Sequence, residues 1–338
     1  MANGMQEVGA ATASAATPVP SSSVSATVSA PAPSAPAVLA VGSVMVDVVC
    51  RVPRLPRSGE GVVVDDVRMT VGGCALNSAN AARQLGAAVE LVVPVGSGPY
   101  ADFARRELAA RGFAGVETFG MGDCGAALCL VEPSGERSMI TLPGVERHFR
   151  REWFTEAERA ARAGLIACGF ASGYELEPAG GDVIVDFFAS HPQIEFWYAP
   201  GPRTCHIPAD RVVRINALRP VWHLNDQEAL AYTGCASLAD AGRAIAREAG
   251  NAVVITAGAD GSYLFQADTM LHVPTDPVEP FDTVGAGDAH LGALCAARAA
   301  GMPWGDALSL ANRIAAAVCL TPGATLTDAD FAKLGLQL

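Results

Sequence analysis

Apolar residues from Ala37 onward fall into short runs closed by glycine, proline or charge, the punctuation of alternating strands and helices. Ala37-Val38-Leu39-Ala40-Val41-Gly42 predicts a buried first strand. Val62–Val64 and Val67–Val71 are β-rich, and Ala75 to Leu85 has helical character that stops at Gly86. Val89 to Gly96 predicts a second buried strand, followed by a helix from Tyr100 to Arg111. Gly125 to Val131, a turn at Pro133-Ser134-Gly135, and Arg137 to Leu142 form a hairpin pattern. Further strands are expected at Gly164–Cys168, Ile194–Tyr198, Val221–Leu224 and Ala252–Thr256, with helices at Glu228–Thr233 and Leu238–Ala249. This alternation predicts an α/β fold with a doubly wound, mainly parallel sheet. The β-rich pieces at about 48–72 and 115–143 interrupt the alternation and are expected to form a small lid sheet.

Residues 1–36 break the pattern, being almost wholly Ala, Ser, Thr, Val and Pro. They are expected to be a disordered tail, leaving 37–338 as the folded domain. With no Lys or Arg before Arg51, the tail matches neither a secretory signal nor a transit peptide. A net charge of −12 argues against nucleic acid or an anionic membrane as the main partner. The nine cysteines contain no C-x-x-C pair, which suits free thiols in a reducing cytoplasm. No apolar run is long enough to span a membrane.

The chemistry concentrates in Asp282-Thr283-Val284-Gly285-Ala286-Gly287-Asp288, which precedes an Ala-rich helical run. Small residues at a loop-to-helix junction leave backbone N–H groups free to bind an anion, and the helix dipole favours negative charge there. A carboxylate at that point is electrostatically awkward, so Asp288 reads as a general base beside a phosphate cradle, or else as a helix cap. Other nucleotide and hydrolase signatures are missing: there is no P-loop, no G-x-G-x-x-G after the first strand, no G-x-S-x-G and no H-E-x-x-H.

DTVGAGDAHLGAL resembles the second signature of the ribokinase (PfkB) family of sugar and nucleoside kinases. Val71 to Ala87, VGGCALNSANAARQLGA, resembles the first, and the likeness spans roughly 38–330. The resemblance implies a ribokinase-like three-layer sandwich with a β lid, and ATP-dependent phosphorylation of a hydroxymethyl group. It implies Asp288 as the base and Gly285, Ala286 and Gly287 as an anion hole. Asp47, Gly72, Gly73 and Asn77 match acceptor-binding positions. Thr256, Gly258, Gly261 and Asn312 match the ATP site, with a base or ribose as the partner that a buried Asn312 needs. Asn225 and Glu228 match an N-x-x-E motif that serves ATP and Mg²⁺, by water where needed; a helix cap explains the same pattern. Asp282, with the turn Thr321–Ala324, matches a monovalent-cation site such as K⁺, or is a plain turn.

The chain departs from the family pattern at His290 and Leu291, where an aromatic is common, and at Ala199, where Asp is frequent; His290 reads as structural. Arg137 reads as a solvated hairpin arginine. A sugar or nucleoside is the expected small-molecule partner, and a homodimer through the lid is expected because an exposed sheet needs covering. A nucleoside acceptor would need stacking residues in the lid, and only Phe113, Phe119 and Met139 offer themselves. A non-catalytic sugar-binding protein is a remoter reading, and a nicotinamide oxidoreductase lacks its glycine fingerprint.

Overall fold

The computed structural model describes residues 37–338; the expected tail at 1–36 lies outside the described residues. β1 (Ala37–Val41) starts the central sheet, and β2 (Met45–Arg51) and β3 (Asp66–Gly72) leave it for a second one. The chain returns through α1 (Cys74–Gln84) to β4 (Val89–Val92), then enters β5 (Pro94–Val95), α2 (Pro99–Ala110) and β6 (Val116–Glu117). β7 (Ala126–Val131) and β8 (Arg137–Leu142) complete the second sheet, in the order β3-β2-β7-β8. α3 (Thr155–Arg162), β9 (Ile166–Ser172), α4 (Gly173–Leu176), α5 (Gly181–Ser190), β10 (Glu195–Ala199), α6 (Ala209–Ala217) and β11 (Val221–Asn225) follow. The last part comprises α7 (Asp226–Thr233), α8 (Leu238–Ala249), β12 (Val253–Thr256), β13 (Ser262–Gln266), β14 (Thr269–Val273), α9 (Ala286–Ala299), α10 (Trp304–Cys319) and α11 (Asp328–Lys333).

The central sheet has eight strands in the order β14-β13-β12-β11-β10-β9-β1-β4, parallel from β4 to β12. β13 and β14 add an antiparallel edge. Strand periodicity divides the core into two layers. Val38 and Ala40 pack with α1, α2, α9, α10 and α11, whereas Leu39 and Val41 pack with α3, α5, α6, α7 and α8. The result is the expected three-layer α/β sandwich with a mostly parallel sheet.

Several boundaries differ from expectation. Val62–Val64 form no strand, because Pro53, Pro56, Gly59 and Gly61 break the pairing around them, and Val63 stands exposed. The expected strand Val89–Gly96 divides at Val93: Pro94 has no N–H to continue the ladder, and β5 pairs with β6 instead. Val116–Glu117 therefore belongs beside the core, and the second half of the lid begins at Ala126. β13 and β14 went unread although Tyr263-Leu264-Phe265 and Thr269–Val273 flank a tight Ala267-Asp268 turn.

In the lid, the strand registers align Asp47, Thr70, Arg68, Ala127, Cys129, Met139 and Arg137 on one face. The opposite face leaves Val67, Met69, Ile140 and Leu142 exposed.

Candidate active site

The site begins where α1 and α9 meet. Gly292 faces α1 so closely that a Cβ there would collide with the Ser78 carbonyl. One turn earlier on the same side of α9 is Asp288, and one residue before Ser78 is Asn77. The contact brings Asn77 Nδ2 within 2.8 Å of Asp288 Oδ2, joining two motifs 211 residues apart. The thiol of Cys74, in the first turn of α1, also donates to this carboxylate. Burial pushes the Asp288 pKa up, and the hydrogen bonds from Asn77 and Cys74 oppose the rise.

Asp288 is not the helix cap. Gly285 occupies that position with φ 80°, and α9 starts at Ala286 with no side-chain cap. Only glycine meets both demands at 285, since its φ is positive and a Cβ would strike the backbone of Ala324. The turn Thr321–Ala324 thereby packs directly against the 285–287 loop. With no capping side chain, the N–H groups of Gly287 and Asp288 stay available to a ligand, while the Ala286 N–H donates to the Thr283 carbonyl at 3.3 Å.

Two cavities meet at this loop. One, of about 350 Å³, is lined by Asp288, Gly287, Asn225, Glu228, Thr256 and Arg203, among others. The second, of about 260 Å³, is lined by Thr256, Gly258, Gly261, Ala286, Gly287 and Asn312, among others. Thr256 and Gly287 border both. Asn225, at the end of β11, and Glu228 form a full capping box: Glu228 N–H donates to Asn225 Oδ1 at 2.8 Å and Asn225 N–H donates to Glu228 Oε2 at 3.0 Å. The cap leaves Glu228 Oε1 uncommitted, and burial raises the pKa of its carboxyl.

Asp47, Gly72 and Gly73 line neither cavity. Gly72 lies against Asp47, a Cβ on it standing 2.5 Å from Asp47 Oδ2, and the pair reaches Asp288 through Asn77. Burial alone pushes the Asp47 carboxyl up to about 6.

Other expectations change. Asn312 needs no base or ribose: its Oδ1 lies 3.1 Å from His290 Nε2, and its Nδ2 donates to the Val273 carbonyl at 3.0 Å. Arg137 is not simply solvated. Its two terminal nitrogens donate to the two oxygens of Asp282 at 3.2 and 3.1 Å, binding the lid to the loop that precedes α9. Asp282 Oδ1 also accepts from the Val284 N–H. Phe113 packs against the core and beneath the Arg83 guanidinium, out of reach as a stacking platform.

Four residues in or beside the wall of the first cavity were missed. Cys74 directly follows the paired glycines, and His223 precedes Asn225 by two on the same strand, a spacing that puts both on one face. Arg203 follows β10 and meets the Glu177 carboxylate. Glu175 is fully buried, accepts from the Ser172 hydroxyl, and is raised by burial to about 7. No sequence signal separates Glu175 from a surface acid.

Comparison with known proteins decides the family. The description "pfkB family carbohydrate kinase" matches residues 35–330. The chain belongs to the pfkB family. Among its relatives, the uncharacterized sugar kinase YegV of Escherichia coli (strain K12) is 32% identical over 282 residues, covering 82% of this chain and 87% of the relative. The pfkB fold is equally evident in solved structures. Ribokinase from Thermotoga maritima superposes with a TM-score of 0.76 at 18% identity, covering 88% of this chain and 98% of that one. Adenosine kinase from Sinorhizobium meliloti gives 0.75 at 19%, covering 89% and 100%. As a pfkB kinase the chain is a phosphotransferase with an alcohol group as acceptor, using ATP. Among the described residues, no helix is long and apolar enough to cross a membrane.

Proposed function

We propose that this chain transfers the γ-phosphate of ATP to a hydroxymethyl group of a sugar or sugar-like acceptor, with Asp288 as the base. The observation that carries this reading is the Asp288 carboxylate on the wall of the first cavity, beside Gly287, which borders both cavities. An acceptor bound by Asp47, Gly72, Gly73 and Asn77 would present its hydroxyl to Asp288. The carboxylate takes the hydroxyl proton as the oxygen attacks phosphorus, and its raised pKa suits it to that task. N–H groups of Gly285 and Gly287, joined by that of Ala286 once it leaves the Thr283 carbonyl, would stabilise the charge that develops on the transferred group. ATP would lie along Thr256, Gly258 and Gly261 in the second cavity, with Asn312 shaping its wall.

Glu228 through Oε1, and Asn225, would hold Mg²⁺ by way of water. Mg²⁺ keeps several waters and is commonly carried by substrate phosphates together with one or two protein groups. The ion, when bound, neutralises phosphate charge. The Arg137–Asp282 contact supports a lid that closes over the site and excludes water. The apolar outer face of the lid supports a homodimer, and the free thiols support a cytoplasmic setting.

A nucleoside acceptor ranks second, because Phe113 is withdrawn into the core and leaves only Phe119 and Met139 to stack a base. A panel of pentoses, hexoses, keto-acids and nucleosides, read by ADP release, tests the reading. Asp288→Asn should lower kcat by about 10²–10⁴-fold while ATP binding persists; a near-normal rate would sink the mechanism.

A further inference from the structure

Two buried imidazoles lie beneath the anion-binding turn. His223, on β11, lines the first cavity, and His290, on α9, lines the second. His223 Nε2 is 2.9 Å from His290 Nδ1, and the chain continues from His290 Nε2 to Asn312 Oδ1 at 3.1 Å. Asn312 Nδ2 then donates to the Val273 carbonyl at 3.0 Å, with the Pro274 carbonyl 3.5 Å away. The far end sets the direction of every bond. Carbonyls only accept, so Asn312 must turn its nitrogen to Val273 and its oxygen to His290. His290 therefore donates from Nε2 and accepts at Nδ1 from the Nε2–H of His223. Both rings are neutral: burial lowers His290 to about 4, and burial with the adjacent His290 holds His223 well below the usual imidazole range.

The chain joins structures with different tasks. Its first member is in the wall of the cavity that holds Asp288; its last reaches the backbone leading into Thr275 and Asp276, which line the other cavity. Residues two apart on a helix point roughly 200° apart, so Asp288 and His290 leave α9 on opposite sides. Asn77 grips one side, and His223 and Asn312 grip the other.

We propose that His290 is a positioning residue for phosphoryl transfer, coupling the wall of the nucleotide cavity to the placement of Asp288. The proposal rests on the kinase reading above. A ring that only filled space here would need no polar atoms, and burying the two His290 nitrogens unpaired would be costly.

The test compares His290→Phe, which fills the volume without hydrogen bonds, with His290→Gln, whose amide offers one acceptor and one donor. With the acceptor that supports wild-type turnover, Phe should lower kcat by about 10–100-fold and leave the acceptor KM within about twofold. Gln should restore kcat to within about threefold of wild type. Phe at wild-type kcat, or Gln as impaired as Phe, overturns the positioning role. The triple variant His223→Leu/His290→Phe/Asn312→Leu removes the polar side-chain groups together. A lowered kcat at wild-type melting temperature supports positioning, and a wild-type kcat refutes it. Imidazole ¹⁵N NMR of the unaltered protein should find both rings as neutral Nε2–H tautomers, and an Nδ1–H on His290 overturns the chain. Absence of wild-type turnover with every acceptor would instead fail the kinase reading.

Discussion

Replacing Asp47 with Asn should stabilise the protein and impair it at the same time. Burial moves this carboxyl from 3.8 to about 6, with no partner offsetting the rise. The folded state thus holds the Asp47 proton more tightly than the unfolded chain does. The resulting penalty is absent below pH 3.8 and fully present above about pH 6. At ~1.4 kcal/mol per pH unit, the charged folded state bears a cost of roughly 3 kcal/mol at pH 8. That cost falls to about 1 kcal/mol at pH 4.5. Asp47→Asn should therefore raise the melting temperature by roughly 5 °C at pH 8, with a clearly smaller gain at pH 4.5. If the carboxylate binds acceptor hydroxyls, losing a charged hydrogen bond of ~1.5–3 kcal/mol should raise the acceptor KM by about 10–100-fold. The KM for ATP should hold steady. Scanning calorimetry at the two pH values and steady-state kinetics provide the readouts. A variant less stable at pH 8, or one with equal gains at both pH values, would refute the burial argument. An unchanged acceptor KM would remove Asp47 from the site.

Gly292→Ala should cost about 1–3 kcal/mol in urea unfolding and also lower kcat, since separating α1 from α9 draws Asn77 away from Asp288; a fall in stability alone would show that the contact does not set the site. Arg137→Ala should change stability by less than about 1 kcal/mol because the pair is partly exposed, yet raise acceptor-independent ATP hydrolysis as the lid loosens, measured by ADP release without acceptor. Cys74→Ala removes a donor to the Asp288 carboxylate, so the Asp288 pKa should rise and the acidic limb of the kcat–pH profile should move to higher pH; a shift to lower pH contradicts the assigned hydrogen bond.

What could be read from the sequence was local. The run Ala37–Val41, the helix after Gly73 and the loop at 285–287 depend on spacing and on glycine, so they appeared without any knowledge of neighbours. Pro94 was visible too, and its power to end a strand was underestimated. Contacts across the fold were not legible. Arg137 and Asp282 are separated by 145 residues and meet only because the lid folds back over the core. Asn312 was read correctly as a buried amide in need of partners, but the partners proved to be His290 and a strand carbonyl. Residue type announces a polar need, whereas topology decides who meets it.

The backbone contact at Gly292 also bears on motion. Helices pressed together without an intervening side chain have no soft layer in which to slide, so α1 and α9 must travel as one body. On the proposed reading, the helices that carry Asn77 and Asp288 therefore cannot separate to admit or release ligands. Any opening that the proposed lid makes would have to bend where the chain passes between the two sheets, at residues 42–44 and 72–73 and after β8. On that reading the chemistry rides on a shared frame and access falls to the second sheet above it.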